Sequence, residues 1–220
     1  MNYNAPHIIT EGVVQYELGS LNGREIEYDF GKILIYLEAK GKLMFGKRFK
    51  IYKEDRDIIY KLCLYFIRDT ARCRQLDIDI DKGILLTGPV GCGKTSLMRL
   101  MKHIVPHRRP YGVIPCRNIV FGFNHIGYKV IGDYGDSQFF CFDDLGAEPD
   151  GIHFGKGCNV MGEILLSRYE LHVDHKLRTH ATTNLNAIEL EERYGSRVRS
   201  RLRELFNLVS FDGKCRDKRK

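Results

Sequence analysis

Three observations predict an α/β fold, a three-layer α/β/α arrangement built on a mainly parallel sheet of five strands. The glycine-rich stretch Gly88-Pro89-Val90-Gly91-Cys92-Gly93-Lys94-Thr95 follows a short apolar run with the spacing G-x-x-x-x-G-K-T. A second apolar run, Phe139 to Phe142, ends in the acidic pair Asp143 and Asp144. Helix-length stretches separate these runs from others near Ile119, Thr179 and Leu208, and strands alternating with helices are the mark of a parallel sheet.

The glycine-rich stretch is read as a phosphate-binding loop. Ile84, Leu85 and Leu86 form a buried strand before it, and Ser96 to His103 a helix after it, which is the setting the motif requires. Glycines let the backbone turn tightly and point its N–H groups inward, where a side chain would block a phosphate. Lys94 neutralises the β- and γ-phosphates, Thr95 offers a hydroxyl to Mg²⁺, and Ser96 extends the helix N-terminus that faces the same anion. Nucleotide binding is therefore the anchor of the reading. The chain carries no N-K-x-D guanine motif, which points to ATP and away from GTP.

Composition bounds the rest. A chain of 220 residues is long enough for one α/β domain with a modest extension, and its formal charge of +7 suits a nucleic-acid or acidic partner. The seven cysteines, Cys63, Cys73, Cys92, Cys116, Cys141, Cys158 and Cys215, never fall in C-x-x-C spacing and read as reduced thiols of a cytoplasmic protein. No basic segment followed by an apolar one opens the chain, and no apolar stretch approaches bilayer length, so a soluble, intracellular protein is expected.

Residues 1–50 carry little chemistry. Tyr28 to Leu43 reads as a helix weakened by Gly31 and Gly41, and this extension is either a partner-docking piece or a lead-in packed on the core. Residues 51–212 are expected to form the nucleotide-binding domain and 213–220 a basic tail. Glu54 to Gln75 reads as one helix with Ile58, Ile59, Leu62, Phe66 and Ile67 on its buried face. Just before it, Phe49 to Tyr52 either joins the core or lines an adenine pocket. His107, Arg108 and Arg109 form a basic turn, either solvated or in contact with nucleic acid, and Asn118 to Phe123 is expected to be the second strand.

Asp143 and Asp144 close the third strand at its carboxyl end, where parallel sheets place their ligands. Asp143 is read as a Mg²⁺ ligand and Asp144 as the group that orients and deprotonates water. Val160 to Leu171 is a helix, and His172, His175 and His180 are read as a polar helix end and not as a metal site. The fourth strand ends Ala181-Thr182-Thr183-Asn184, whose terminal amide is placed to hold a lytic water or the γ-phosphate. A short helix from Ile188 to Tyr194 breaks at Gly195. Ser196 to Phe206 then forms a helix with Arg197 and Arg201 on one face, and Leu208 to Phe211 is the last strand.

Taken in order, the phosphate loop, FFCFDDLGAE, ATTNL and RYGSRVRSRLRELF resemble the AAA+ ATPases of the DnaC/IstB type, the helicase loaders and transposition helpers. The likeness covers roughly residues 49–212. It implies a P-loop NTPase with sheet order 5-1-4-3-2, assembling as a homo-oligomer with ATP and Mg²⁺ at subunit interfaces, although no C-terminal helical lid is expected after the fifth strand, a departure from most AAA+ enzymes. By the same resemblance Gly88, Gly93, Lys94 and Thr95 are Walker A, Asp143 and Asp144 Walker B, and Asn184 sensor 1. Arg201, with Arg197 one turn earlier, matches the arginine finger. The chain departs from the family in carrying Asp144 where Glu is usual, with Glu148 as a possible substitute base. The implied function is an ATP-dependent helicase-loader-like switch acting on DNA, single strands favoured, with a replicative helicase as partner. The rival readings are a duplex-coating helper of a transposase, a small-molecule phosphotransferase and a binding module without hydrolysis. Arg108, Arg109, Lys129, Lys214, Arg216, Lys218, Arg219 and Lys220 are the candidate DNA contacts.

Overall fold

The computed structural model describes residues 5–136, 138–213 and 215–219. The chain divides into two compact units, Met1–Ile78 with Ser96–Pro110, and Asp79–Thr95 with Tyr111–Lys220.

The first unit opens with two antiparallel hairpins, β1 (Ile8–Glu11) with β2 (Val14–Glu17) and β3 (Gly19–Asn22) with β4 (Glu25–Tyr28). Each turns through a two-residue loop whose first residue, Gly12 or Gly23, has a positive φ of 62° or 64° that a side chain would resist. Helix α1 (Phe30–Phe45) starts where the Asp29 carboxylate accepts the Lys32 N–H at 3.0 Å, and it buries Ile33, Tyr36 and Leu37. Its Lys40 and Tyr36 both donate to Glu11 of β1, at 2.7 and 3.1 Å. Phe49 folds back onto α1, where any side chain at Gly41 would lie within 2.1 Å of its ring.

The predicted single helix over Glu54 to Gln75 is two. Helix α2 (Arg56–Ile67) ends at Arg68, whose φ of 64° is left-handed, and Asp69 then caps α3 (Thr70–Gln75) through its carboxylate. The apolar stripe ends at Ile67, and the stop is made by a left-handed arginine and not by glycine, so the sequence carries no breaker there. Arg108, named above as a DNA candidate, donates to the carbonyls of Phe66 and Ile67 at 3.1 and 3.3 Å and so closes the end of α2.

The second unit carries the sheet. Strand β5 (Gly83–Thr87) leads through the glycine loop into α4 (Lys94–Met101), whose residues from Ser96 onward belong to the first unit, and the second unit resumes with β6 (Gly112–Pro115), α5 (Cys116–Ile126) and α6 (Lys129–Tyr134). Strand β7 (Phe140–Asp143) follows, then the hairpin of β8 (Gly151–His153) and β9 (Lys156–Cys158), α7 (Val160–His175), β10 (His180–Thr183), α8 (Ala187–Leu205) and β11 (Phe206–Ser210). Among the described residues the main sheet has five strands in the order β11-β5-β10-β7-β6, every neighbouring pair parallel. Numbered along the chain, that is the expected order 5-1-4-3-2.

The second strand is not where the apolar run placed it. Asn118 to Phe123 lies inside α5, because its buried residues Cys116, Ile119, Val120 and Phe123 recur at helical spacing, and Gly112–Pro115 pairs with β7 instead. Those α5 residues pack with Phe140, Phe142, Ile164, Leu165 and Leu202 in one core cluster. Gly83 is required at the start of β5, since a Cβ there would meet Thr179 O at 1.5 Å. Asn186 caps α8 in a capping box with Glu189, and Gly195, at φ 83° and ψ 162°, divides that helix as the sequence predicts. Among the described residues no helix is long and apolar enough to cross a membrane.

Candidate functional site

The carboxyl ends of β5, β7 and β10 meet because the three strands are sheet neighbours. The register His180 to Cys141 and Ala181 to Phe142 sets Thr182 beside Asp143, and Thr183 pairs with Thr87 at the mouth of the loop. Every strand residue here is buried except Thr87, which is half-buried, so polar side chains at these ends must bond one another.

They do so in two groups. The Lys94 ammonium, only 4% exposed, donates to Gly88 O at 2.7 Å, Pro89 O at 2.9 Å and Asn184 Oδ1 at 2.5 Å. The Asp143 Oδ1 accepts both the Thr95 hydroxyl at 2.8 Å and the Thr182 hydroxyl at 2.7 Å. Thr182 Oγ1 also takes the Asp144 N–H at 2.9 Å, and the Leu145 N–H donates to Thr182 O at 2.8 Å. These bonds hold Asp144 in the left-handed region at φ 55°, with its side chain facing solvent. Desolvation, then the charge of Asp143, raises the Asp144 carboxyl above its ordinary value, against the pull of Lys94 and Arg219.

Gly88, Gly91 and Gly93 have φ of 151°, 79° and 103°, conformations in which side-chain-bearing residues are strained. Val90 projects into solvent, while Cys92 is buried and its thiol is pushed up by desolvation. A hydroxyl and a carboxylate within 2.8 Å of each other are hard oxygen donors of the kind Mg²⁺ prefers, so Thr95 and Asp143 fit that ion. Among the described residues no cluster of three His, Cys, Asp or Glu side chains offers another metal site.

Glu148, the alternative base, is held in contacts of its own. It is buried, accepts the Gly146 N–H at 2.8 Å and the Tyr194 hydroxyl, and lies 3.8 Å from Arg193. Arg197 and Arg201 are not drawn into the strand-end cluster. Arg197 is exposed on α8, and Arg201 donates to Tyr169 Oη and Glu204 Oε1, both at 3.2 Å, with its guanidinium 4.3 Å from the Tyr169 ring centre. Lys214 and Lys220 lie outside the described residues.

Two participants escaped the sequence reading. Thr182 was seen only as part of a strand end, although alternation along β10 beside an acidic strand end marks it as the inward partner of Asp143. Lys218 was assigned to a basic tail, yet its ammonium donates to Cys92 O at 2.7 Å. No pattern in the tail announces that contact.

No family profile matches the sequence, and no curated protein matches it. Solved structures do share its fold. A crystal structure of the DnaC helicase loader aligns with a TM-score of 0.55 at 16% identity, covering 76% of this chain and 94% of that one. A crystal structure of DnaI aligns with a TM-score of 0.53 at 19% identity, covering 74% of this chain and 88% of that one. With its five-stranded parallel sheet in the order 5-1-4-3-2 and helices around it, the chain shares the α/β fold of these two solved structures.

Proposed function

We propose that the chain is an ATP-hydrolysing switch of the helicase-loader type, which assembles on DNA when ATP binds. The observation that carries this reading is the interlock at the strand ends, where Lys94 joins Asn184 and Thr95 joins Asp143. Those pairs link the phosphate loop to two neighbouring strands, so a change in the charge at the loop is felt at both.

The residues divide the work. The inward N–H groups of Gly91 to Lys94 and the N-terminus of α4 bind polyphosphate, and Lys94 exchanges its carbonyl contacts for phosphate oxygens. Thr95 and Asp143 would hold Mg²⁺, which when bound neutralises and orients the β- and γ-phosphates. Asn184 orients water from the adjacent strand. Asp144 takes its proton, and a carboxyl raised from its ordinary value makes a better base at neutral pH than an ordinary one. Arg201 and Arg197 act in the neighbouring subunit, offsetting charge on the transferring phosphoryl group so that hydrolysis waits for assembly.

Light scattering with ATP on single-stranded and duplex DNA of equal length tests the proposal, with Lys94→Ala as control. Assembly that needs ATP and Lys94 and favours single strands supports a loader acting with a replicative helicase. A duplex-coating oligomer transfers the chain to the transposition helpers. A particle that stays monomeric on both overturns the switch.

A further inference from the structure

Residues 211–213 and 215–219 are built onto the phosphate loop. Beyond β11 the Phe211 N–H still donates to Thr87 O at 2.8 Å, and the Cys215 N–H donates to Asp212 O at 2.9 Å. The chain then reaches the glycine loop, where the Lys218 N–H donates to Gly91 O at 3.1 Å and its ammonium to Cys92 O at 2.7 Å. The same ammonium lies 5.0 Å from the centre of the Phe211 ring. Asp217 sits directly on Gly91, since a Cβ at that glycine would meet its Oδ1 at 2.1 Å. Asp217 Oδ1 in turn accepts the Arg219 N–H at 2.9 Å, which fixes the local turn.

The loop's chemistry explains why a cation belongs there. A backbone that turns its N–H groups inward toward an anion turns its carbonyls outward, and buried carbonyls need donors. The Lys94 ammonium serves Gly88 and Pro89, and Lys218 serves Gly91 through its backbone N–H and Cys92 through its ammonium. Two lysines thus hold four carbonyls of one loop, from opposite ends of the second unit's sequence. Gly91 and Cys92 are buried under this cover.

We propose that residues 215–219 form a strap across the phosphate loop, and that Lys218 is a positioning residue which presets the loop's N–H groups for a nucleotide polyphosphate. The role rests on the nucleotide reading above. It also gives the five terminal basic residues unequal duties: Lys218 works on this chain's own loop, and Arg219 brings a positive charge within reach of Asp144.

Hydrogen exchange of the full chain without nucleotide tests the strap on its own. Lys218→Ala should speed exchange of the amides of residues 90–95 about tenfold, Lys218→Arg should restore protection, and β10 should be unchanged in both. Unchanged exchange at residues 90–95 in Lys218→Ala overturns the strap. Fluorescence titration with a labelled ADP then tests the role: the Ala variant should bind about tenfold more weakly, at an unchanged melting temperature, and the Arg variant within about threefold of wild type. An Ala variant that binds as tightly as wild type, or more tightly, overturns positioning while leaving the nucleotide reading intact. A wild-type chain that binds no ADP overturns the nucleotide reading and this role together, and the exchange result still decides whether the strap holds the loop.

Discussion

The carboxyl ends of β5, β7 and β10 bond their polar side chains to one another, whereas the outer face of α8 leaves Arg197 in solvent and Arg201 on Tyr169 of α7 and Glu204 of its own helix. Lys94 and Asp143 are buried, so moving either costs desolvation or broken bonds, and only a ligand that replaces those bonds can do it. The pair of Arg201 and Glu204 is half-exposed, and such a pair holds its partners by about 1 kcal/mol or less. An arginine held that loosely is free to be taken by a stronger anion. On the proposed function, the difference separates the part that works inside one chain from the part offered to another.

The sharpest way to break the comparison is Arg201→Ala. If the outer face serves a neighbouring subunit, hydrolysis should fall about 10³-fold while nucleotide affinity of the isolated chain stays within a factor of about three. Steady-state phosphate release beside equilibrium nucleotide titration reads both quantities. A loss of affinity equal to the loss of rate would place Arg201 in its own chain's site and remove the distinction. Next in size is Lys94→Ala, which should weaken ATP binding by about 10²-fold if the buried cation serves the phosphates as proposed. Isothermal titration with ATP measures it, and a change under threefold would show that the strand-end cluster is structural only.

How much of this was legible before the fold was known follows from the range of the forces involved. Anion binding by backbone N–H groups demands glycine, lysine and threonine at fixed local spacing, so the phosphate loop can be read from eight residues. Asp143 and Asn184 were legible as the polar ends of apolar runs. Their partnership with Thr182 depends on the register of β7 against β10, which brings together residues about forty positions apart in the chain. The run Asn118 to Phe123 satisfied two periods at once over a short window, and only its continuation to Cys116 decided for a helix. The hairpins of the first unit were signalled by Gly12 and Asn22-Gly23, but the strands flanking them are too polar and too short to draw attention. Lys218 had no signal, since a lysine that caps carbonyls looks like any lysine in a basic tail.

The buried half of the comparison is sharpened by pH. His180 on β10 accepts the Ile84 N–H through Nδ1 at 3.1 Å, and burial, with Arg178 and Arg168 adding to it, drives its pKa down to about 3 from the ordinary 6.5. The unfolded chain therefore binds a proton at this site between those values and the folded chain does not, so the site's contribution to stability falls as pH drops below 6.5. The slope is about 1.4 kcal/mol per pH unit. Urea denaturation of wild type and His180→Asn between about pH 4.5 and pH 6.5 should differ in pH dependence by that slope; parallel curves would mean that His180 charges within the fold.

The smallest effect concerns the joint between the two regions. Helix α8 presents arginines outward, but its inner face sends the Tyr194 hydroxyl to Glu148 and Arg193 to Asp150 at 2.7 Å, tying the helix to the segment that leaves Asp144. Tyr194→Phe removes one donor from a buried carboxylate and keeps the ring. It should cost about 1.5 kcal/mol by denaturant unfolding, because Glu148 retains the Gly146 N–H and the nearby Arg193 charge. If the joint transmits the state of the strand ends to the outer face, the same variant should also lower ATP-stimulated hydrolysis while leaving ATP affinity unchanged. A variant that loses stability with its hydrolysis intact would make the joint a matter of folding alone, with no part in coupling the two regions.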